Sequence, residues 1–493
     1  MGWGKQKSNV YKAITHFFDL HMNHIFKLSF LRYLVLSLLP MKQPKKSLTE
    51  GPILKTLVTL SFPIIAANLL QTAYQLVDAF WVGRLGPNAV AAVSISFPVN
   101  FLLISLSSGF GFAGAILVAQ YAGAKNLKMV NHVATQCLVI VALMSVVISG
   151  LAYWLSPNIL HWLGVETVIF DDANFFQRII FLSMVFNFGF IMFQSLLRGI
   201  GEVRIPLWIN ALSLGLNFIL DPLFIYGWGP VPAYGVAGAA YSSMATLALS
   251  AIIGYYILFK GTTQLKITLK AFKFDFPLLK SAFKLGMPSS LEISAKALSL
   301  IMLTGIAARI STDALAAYGV GARLISIVVI LALGLMKGNA TLVGQNIGAQ
   351  RLDRAETTSN YAMGIAFVVL STIGLLFYVF AEPLIRTFMD APDDVTAMAV
   401  QFLRICAPSF GFLGVQLALV GTFRGSGNTT ESMHFTIIGV WVIQFPFAWY
   451  VSGLDSMNEQ GLWWSFPVSY VIPALLSYWW YRKGTWKLKK VIS

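Results

Sequence analysis

The chain is poor in charge. Of its 493 residues, 11% are Asp, Glu, Lys or Arg, against about 25% in a soluble domain. A deficit of that size excludes a chain that mostly faces water. Cysteine is nearly absent. Cys137 and Cys406 lie in separate apolar runs, too few and too far apart for a disulfide framework or a metal knuckle, and they read as small core residues. The six histidines form no paired cluster, and no HExxH or GxSxG occurs, so a membrane enzyme lacks support. No GxxxxGK[ST] phosphate loop is present, which argues against direct use of ATP.

What the chain has instead is long apolar runs. A helix needs about 20 apolar residues to cross the hydrocarbon. Twelve stretches meet that need, at 57–81, 88–119, 131–155, 174–197, 206–226, 235–259, 281–308, 314–344, 361–381, 398–422, 433–453 and 461–481. Pro63, Pro98, Pro222, Pro288 and Pro446 fall inside them and predict kinks, tolerated where neighbours satisfy the freed carbonyls. The expected fold is an all-α polytopic membrane protein with twelve transmembrane helices.

The connections sort by charge. One set carries Lys42, Lys45, Lys46 and Lys55, then Lys125 and Lys128, Arg198 and Arg204, the basic stretch from Lys260 to Lys284, Arg351 and Arg354, Arg424, and the tail from Arg482 to Lys490. The alternate set carries Glu166, Asp171, Asp172, Asp313, Glu382, Asp390, Asp393, Asp394, Asp455 and Glu459. Cationic loops stay in the cytoplasm, so both termini are expected inside a cell (inner) membrane, which an even helix count allows. The net charge of +15 is then mostly topology, and nucleic acid is not an expected partner. Residues 1–40 read as a dispensable tail or an early start, with Met41 before a basic run.

An internal repeat organises the chain. At an offset of 225 residues, Pro63 meets Pro288, Arg84 meets Arg309, Gly109 meets Gly334, and AILVAQYAGA at 115–124 matches ATLVGQNIGA at 340–349 in six of ten places. Further on the offset is 226, where Arg198, Gly199 and Gly201 meet Arg424, Gly425 and Gly427. Each half holds six helices and inserts the same way. That predicts two six-helix bundles related by a pseudo-two-fold axis along the membrane normal, with a cavity between them. The expected organisation is an N-terminal cytoplasmic extension at 1–50, a first bundle at 51–259, a linker at 260–280, a second bundle at 281–482 and a basic tail at 483–493.

The segments LVDAFWVGRLG at 76–86, LRGIG at 197–201, NFILDPLF at 217–224 and GVAGAA at 235–240 together resemble the multidrug and toxic compound extrusion (MATE) family, over about residues 50–482. The resemblance implies a V-shaped twelve-helix antiporter that exports organic, often cationic compounds in exchange for protons or sodium ions. It implies no cofactor, a small-molecule substrate, a lipid surround and a functional monomer.

Ionisable side chains inside a membrane cost roughly 2.5–3.5 kcal/mol at a helix centre. Asp78, Asp221 and Glu292 bear that cost here. Asp78 and Asp221 fall near the outer ends of the first and fifth helices, and Asn217 precedes Asp221 by one turn on the same face. Pro222 frees the carbonyl of Phe218. Two carboxylates, an amide and a carbonyl at one depth suit a proton or a sodium ion, and the resemblance points to the same three residues, Asp78, Asn217 and Asp221. The alternative is an interfacial acid and a structural helix end. In the second half, Glu292 and Lys296 stand one turn apart and are expected to pair. Family acids of the seventh and tenth helices align with Lys296 and Leu413. With Arg323 and Lys337 in the eighth helix, the second-half group is formally +2 against −2 in the first, which keeps an anionic substrate in view. Tyr74, Phe97, Phe193, Met192 and Gln194 are candidate cavity residues. Gln120 and Gln345 read as shared caps or gating contacts. Trp81, Trp228, Trp463 and Trp464 fit an interfacial aromatic belt.

The leading expectation is therefore secondary antiport of cationic amphiphilic compounds against H+ or Na+. The alternative is a flippase for a lipid-linked anionic precursor, whose pyrophosphate Lys296, Arg323 and Lys337 could meet. A channel is disfavoured because a two-bundle repeat suits alternating access.

Overall fold

The computed structural model describes residues 48–270, 272–388, 392–454, 457–489 and 491. The extension before residue 48, with Met41, Lys42, Lys45 and Lys46, lies outside the described residues, as do Asp390, Asp455 and Lys490. The described helices belong to one compact unit, Ser47–Ser493.

The first six helices are α1 (Ile53–Gly83), α2 (Pro87–Gly123), α3 (Leu127–Trp162), α4 (Thr167–Gly199), α5 (Arg204–Tyr226) and α6 (Val236–Lys260). The second half opens with α7 (Phe276–Ile310), α8 (Thr312–Gly348) and α9 (Leu352–Val379), followed by a short α10 (Ala381–Phe388). Its tenth span is α11 (Asp393–Cys406) continued by α12 (Phe410–Gly425) through a 3-10 turn at Ala407–Ser409. The eleventh joins α13 (Thr429–Ile437) to α14 (Phe445–Val451) through a π-helical stretch, Ile438–Gln444. The last is α15 (Asn458–Arg482). Eleven of these spans are long and apolar enough to cross a membrane. The twelfth, α15, has 25 residues, with Trp, Tyr, Ser and Pro diluting its aliphatic content.

Side chains and prolines set the helix starts. Asn126 accepts a hydrogen bond from the Met129 amide at 3.1 Å, Asp275 from Leu278 at 3.1 Å and Ser311 from Ala314 at 2.9 Å, each satisfying an orphan N–H of the first turn. Pro87 begins α2, where its missing N–H costs nothing. Large apolar side chains such as Trp154 and Val368, 73% and 63% exposed, lie on the outer faces, where lipid replaces water as solvent. Two of the expected belt residues are instead core. Trp81 is buried against Phe218 and Tyr226, and Trp463 stacks on Phe402 with centroids 4.4 Å apart. Trp464 remains 45% exposed.

In the first bundle, α1 packs on α5 and α6, α4 on α2 and α3, and α6 on α4. In the second, α8 and α9 pack on α12, and α15 closes against α12, α14 and the π stretch. The layer between the bundles is made by α1 against α8 and by α2 against α7 and α8. Here Gly334 meets Ile65 and Gly338 meets Ser61, so small residues let the α1 and α8 backbones approach.

At one end of this layer the repeat closes on itself. Gln120 Nε2 donates to the carbonyl of Gly425 at 3.1 Å, and Gln345 Nε2 donates to the carbonyl of Gly199 at 2.8 Å. Both glutamines are buried. A Cβ on Gly123 would collide with the Gln345 carbonyl oxygen, and one on Gly348 with that of Gln120. Two copies of one contact, each reaching from one half to the other, seal the bundles together. The expectation of a shared role for Gln120 and Gln345 takes the form of this cross-bundle clasp.

Candidate functional site

Five residues before the end of each helix, α1 presents Asp78 and α5 presents Asp221. Asn217, one turn earlier on α5, joins them. Its Nδ2 lies 2.9 Å from Asp78 Oδ1, 3.0 Å from Asp221 Oδ1 and 3.3 Å from Ser242 Oγ of α6. Asn217 and Asp221 are fully buried. Ser243 Oγ donates to Asp78 Oδ2 at 3.3 Å, and the Tyr74 hydroxyl reaches Ser243 at 3.3 Å and Thr246 at 2.7 Å.

An amide NH2 has two hydrogens, and here three oxygens compete for them. Asp221 Oδ2 and Asn217 Oδ1 are buried with no hydrogen-bond partner. Two carboxylates held this close repel when both are ionised, and the orphan oxygens cost free energy until something donates to them. The cluster thus has acceptor oxygens in excess of its own donors. The structure brings Asp78, Asn217 and Asp221 together and adds Tyr74, one of the candidate cavity residues, to their hydrogen-bonded cluster. Ser242, Ser243 and Thr246 join it without being singled out by the sequence, although three hydroxyls within five residues of a membrane helix are a readable signal.

The second half holds a different group. Glu292 of α7 is 1% exposed and pairs with Arg424 of α12 at 2.9 Å. Its carboxylate also accepts from Ser432 at 2.8 Å and Thr436 at 2.9 Å, both on α13. The expected partner, Lys296, is therefore displaced. One turn of helix makes two residues neighbours, but the tertiary fold brings a guanidinium and two hydroxyls to the same carboxylate. Among the described residues this is the one ion pair between two buried side chains. Lys296 stays near Glu292 and Arg424 without reaching ion-pair distance.

Arg198 of α4 and Arg424 gather on Phe112 of α2, at 5.5 and 4.1 Å from the ring centroid. Lys337 of α8 donates across the bundle boundary to Asn68 Oδ1 of α1 at 3.0 Å, and Arg198 and Arg424 are its neighbouring charges. Arg323 is exposed and outside this group. Leu413 is buried apolar core. Phe97 is 60% exposed, and Gln194 donates to Asn210 at 3.3 Å. A cavity of about 850 Å³ lies elsewhere, within the second bundle, lined by Tyr378, Arg404, Phe412 and Trp464 among others. None of the expected cavity residues lines it.

Two six-helix bundles, a buried acid pair in one and a buried cation group in the other, define a polytopic membrane transporter. The sequence profile of the MatE family matches residues 63–223 and 288–450, one match per half. The chain belongs to the MATE family. It is 30% identical over 457 residues to the probable multidrug resistance protein YoeA of Bacillus subtilis, covering 92% of this chain and 98% of that one. It is 24% identical to a FAD transporter of Shewanella oneidensis, covering 88% and 95%. Among solved structures, it superposes with a TM-score of 0.83 and 25% identity on a MOP superfamily transporter from Pyrococcus furiosus, covering 90% and 98%, whose binding pocket is described as of reverse polarity, suggesting a different function. These relatives are transporters or multidrug resistance proteins by name.

Proposed function

We propose that the protein is a secondary antiporter that exchanges an organic substrate for protons by alternating access. It works as a monomer in the cell (inner) membrane with both termini cytoplasmic. The observation that carries this reading is the acid pair, two carboxylates sharing one amide, with two buried acceptor oxygens left over. Asn217 turns its NH2, not its oxygen, to both carboxylates. That donor set favours a proton over a sodium ion, which needs oxygens.

With the termini inside, the clasp of Gln120 and Gln345 closes the cytoplasmic end of the layer, and the acid pair stands near the opposite face. One charge crossing 100 mV supplies roughly 2.3 kcal/mol, about a fifty-fold concentration ratio. A single proton per cycle suffices for useful export.

Family membership does not fix the sign of the substrate, since the relatives include a FAD transporter. Cationic amphiphiles are the substrates that the family resemblance of the sequence implies. A flippase of a lipid-linked anionic precursor is the second reading, favoured by the buried cations around Phe112.

The test is export of ethidium from proteoliposomes under an imposed proton gradient or an imposed sodium gradient. Proton-driven export, lost in Asp221→Asn, is the expected result. Sodium-driven export would overturn the choice of ion. No response to either gradient, for ethidium and for anionic probes alike, would overturn antiport.

A further inference from the structure

The cationic residues near Phe112, with Arg198 and Arg424 buried and Lys296 and Lys337 partly so, exceed what the fold needs to neutralise its own acid. Arg198, Lys296, Lys337 and Arg424 have one buried carboxylate among them, Glu292, beside Arg424 and Lys296, which leaves a formal +3. Arg198 and Arg424 sit in the last turns of their helices. Two helix C-termini offset about one unit of that charge. Lys296 and Lys337 then lack compensation. The partner found for Lys337 is a neutral amide oxygen. Two donors at this place are also unused. Arg424 Nε and Asn68 Nδ2 are buried with no hydrogen-bond partner.

The position of the group matters as much as its charge. Phe112 precedes Gln120 by eight residues, and Lys337 precedes Gln345 by eight, so each stands about 12 Å above the clasp. Arg198 and Arg424 directly precede Gly199 and Gly425, the glycines that the clasp holds. Helical side chains lean toward the N-terminus, so both arginines rise from the seal toward Phe112, where their guanidinium groups are found. The layer between the bundles, immediately above the seal, thus carries two unused N–H donors, Arg424 Nε and Asn68 Nδ2. Lys296 and Lys337 are only partly buried, so both side chains keep accessible surface.

The repeat shows that the charge is not a requirement of packing. Phe112 and Lys337 stand 225 residues apart and occupy equivalent positions. The first half fills its position with an apolar ring, and the second fills the same position with an ammonium group. Structural need alone accounts for the ring. It gives no account of the lysine, whose burial is costly.

We propose that Arg198, Lys337 and Arg424, with Lys296 at the rim, bind the phosphate or carboxylate group of the exported compound, and that the physiological substrate is an organic anion. This rests on the antiport reading, and adds the sign of the cargo. Guanidinium groups fork onto such oxyanions and an ammonium meets them as a point charge. α1 joins the two sites, since it bears both Asn68, the partner of Lys337, and Asp78, about 15 Å further along the helix. An anion on Lys337 and a proton on Asp78 therefore act on one helix.

The experiment uses the full chain in nanodiscs and in proteoliposomes. Binding of farnesyl pyrophosphate is measured by calorimetry for the wild type, Lys337→Phe and Lys337→Arg, with thermal unfolding as the check on folding. Lys337→Phe copies the residue of the other half and is expected to weaken binding about tenfold or more, the loss of one charge-assisted hydrogen bond. Lys337→Arg is expected to stay within about threefold. Should Lys337→Phe fail to fold, Lys296→Met is measured instead, with the same loss expected. In proteoliposomes, gradient-driven movement is followed for carboxyfluorescein, a soluble organic anion, and for a fluorescent phosphatidic acid. Movement of either supports the anion site, and which one moves tells a soluble substrate from a lipid. Gradient-driven ethidium export with no anion bound or moved would overturn this proposal while leaving antiport standing. Anion binding that depends on Lys337, with no gradient-driven transport of any probe, would do the reverse.

Discussion

The two halves share a scaffold and differ in charge. The offsets of the repeat carry Asp78, Asn217 and Asp221 onto Leu303, Ile443 and Phe447, and carry Glu292, Lys296 and Lys337 back onto Ala67, Gln71 and Phe112. Apart from the two arginines, Arg198 and Arg424, every ionisable residue of either site faces an uncharged counterpart. The residues that do recur, Gln120 with Gln345, Gly123 with Gly348, and Arg198 with Arg424, hold the bundles together or gather on Phe112 above the seal. What is duplicated holds the frame, with the two arginines shared between frame and anion site, and most of what has diverged carries the charge. In the proposed mechanism the first half takes the driving ion, and the lysines of the second half join both arginines on the cargo.

The most severe break of this comparison is Asp221→Asn. It keeps size and polarity but removes the second carboxylate. Gradient-driven export is expected to disappear, while membrane insertion and yield stay at wild-type levels. Export at the wild-type rate would remove the acid pair from coupling.

Glu292→Gln attacks the other half. It leaves Arg424 buried beside other cations without its carboxylate, and breaking a buried pair on one side costs about 3–5 kcal/mol. A fall in the thermal unfolding midpoint is expected, partly restored by adding Arg424→Met. An unchanged midpoint would mean that the pair is not needed to hold the second bundle.

The frame itself is probed by Gly123→Ala and Gly348→Ala. Each new methyl meets a carbonyl oxygen of the opposite bundle. Faster amide exchange is expected at 118–125 and 345–350 in both variants, with export lowered about tenfold. Equal effects are the prediction of the repeat. A large effect at one glycine and none at the other would show that the seal is not symmetric.

The smallest effect concerns the linker. His132 holds Asp275 at 2.9 Å, with side chains 40% and 33% exposed. That hydrogen bond, with the Leu278 amide, keeps the Asp275 carboxyl below the usual carboxylate range. A carboxyl so held contributes stability that is full above its ordinary pKa and is lost as pH falls through the lowered value. His132→Ala is expected to cost at most about 1 kcal/mol, the range of exposed pairs, and to raise protease cleavage in the linker slightly. The difference between variant and wild type should shrink under acid.

Much of this was legible in the sequence, for physical reasons. Lipid forces each crossing into one long apolar helix, so hydropathy alone marks the spans. The same solvent makes an acid conspicuous, and Asp78 and Asp221 stood out because so few acids share their setting. Other features left no local trace. Glu292 has a lysine one turn away and takes an arginine from the far end of another span, a choice made by packing. The acceptors of Gln120 and Gln345 are backbone carbonyls, which every residue carries, so no side chain advertises them. Trp463 looks interfacial in sequence, but the packing of α15 against α11 stacks it on Phe402. The recurrence of Arg198 as Arg424 was visible, and it marked a shared structural place before either partner was known.

The clasp has an evolutionary corollary. When a gene is duplicated and fused, its copies are free to drift apart residue by residue. Here the partner of Gln120 is Gly425, and that of Gln345 is Gly199, so each contact spans both copies. Because the acceptors are backbone carbonyls, loss of Gln120 or Gln345 removes one side of the clasp, and no change of side chain at 425 or 199 restores it.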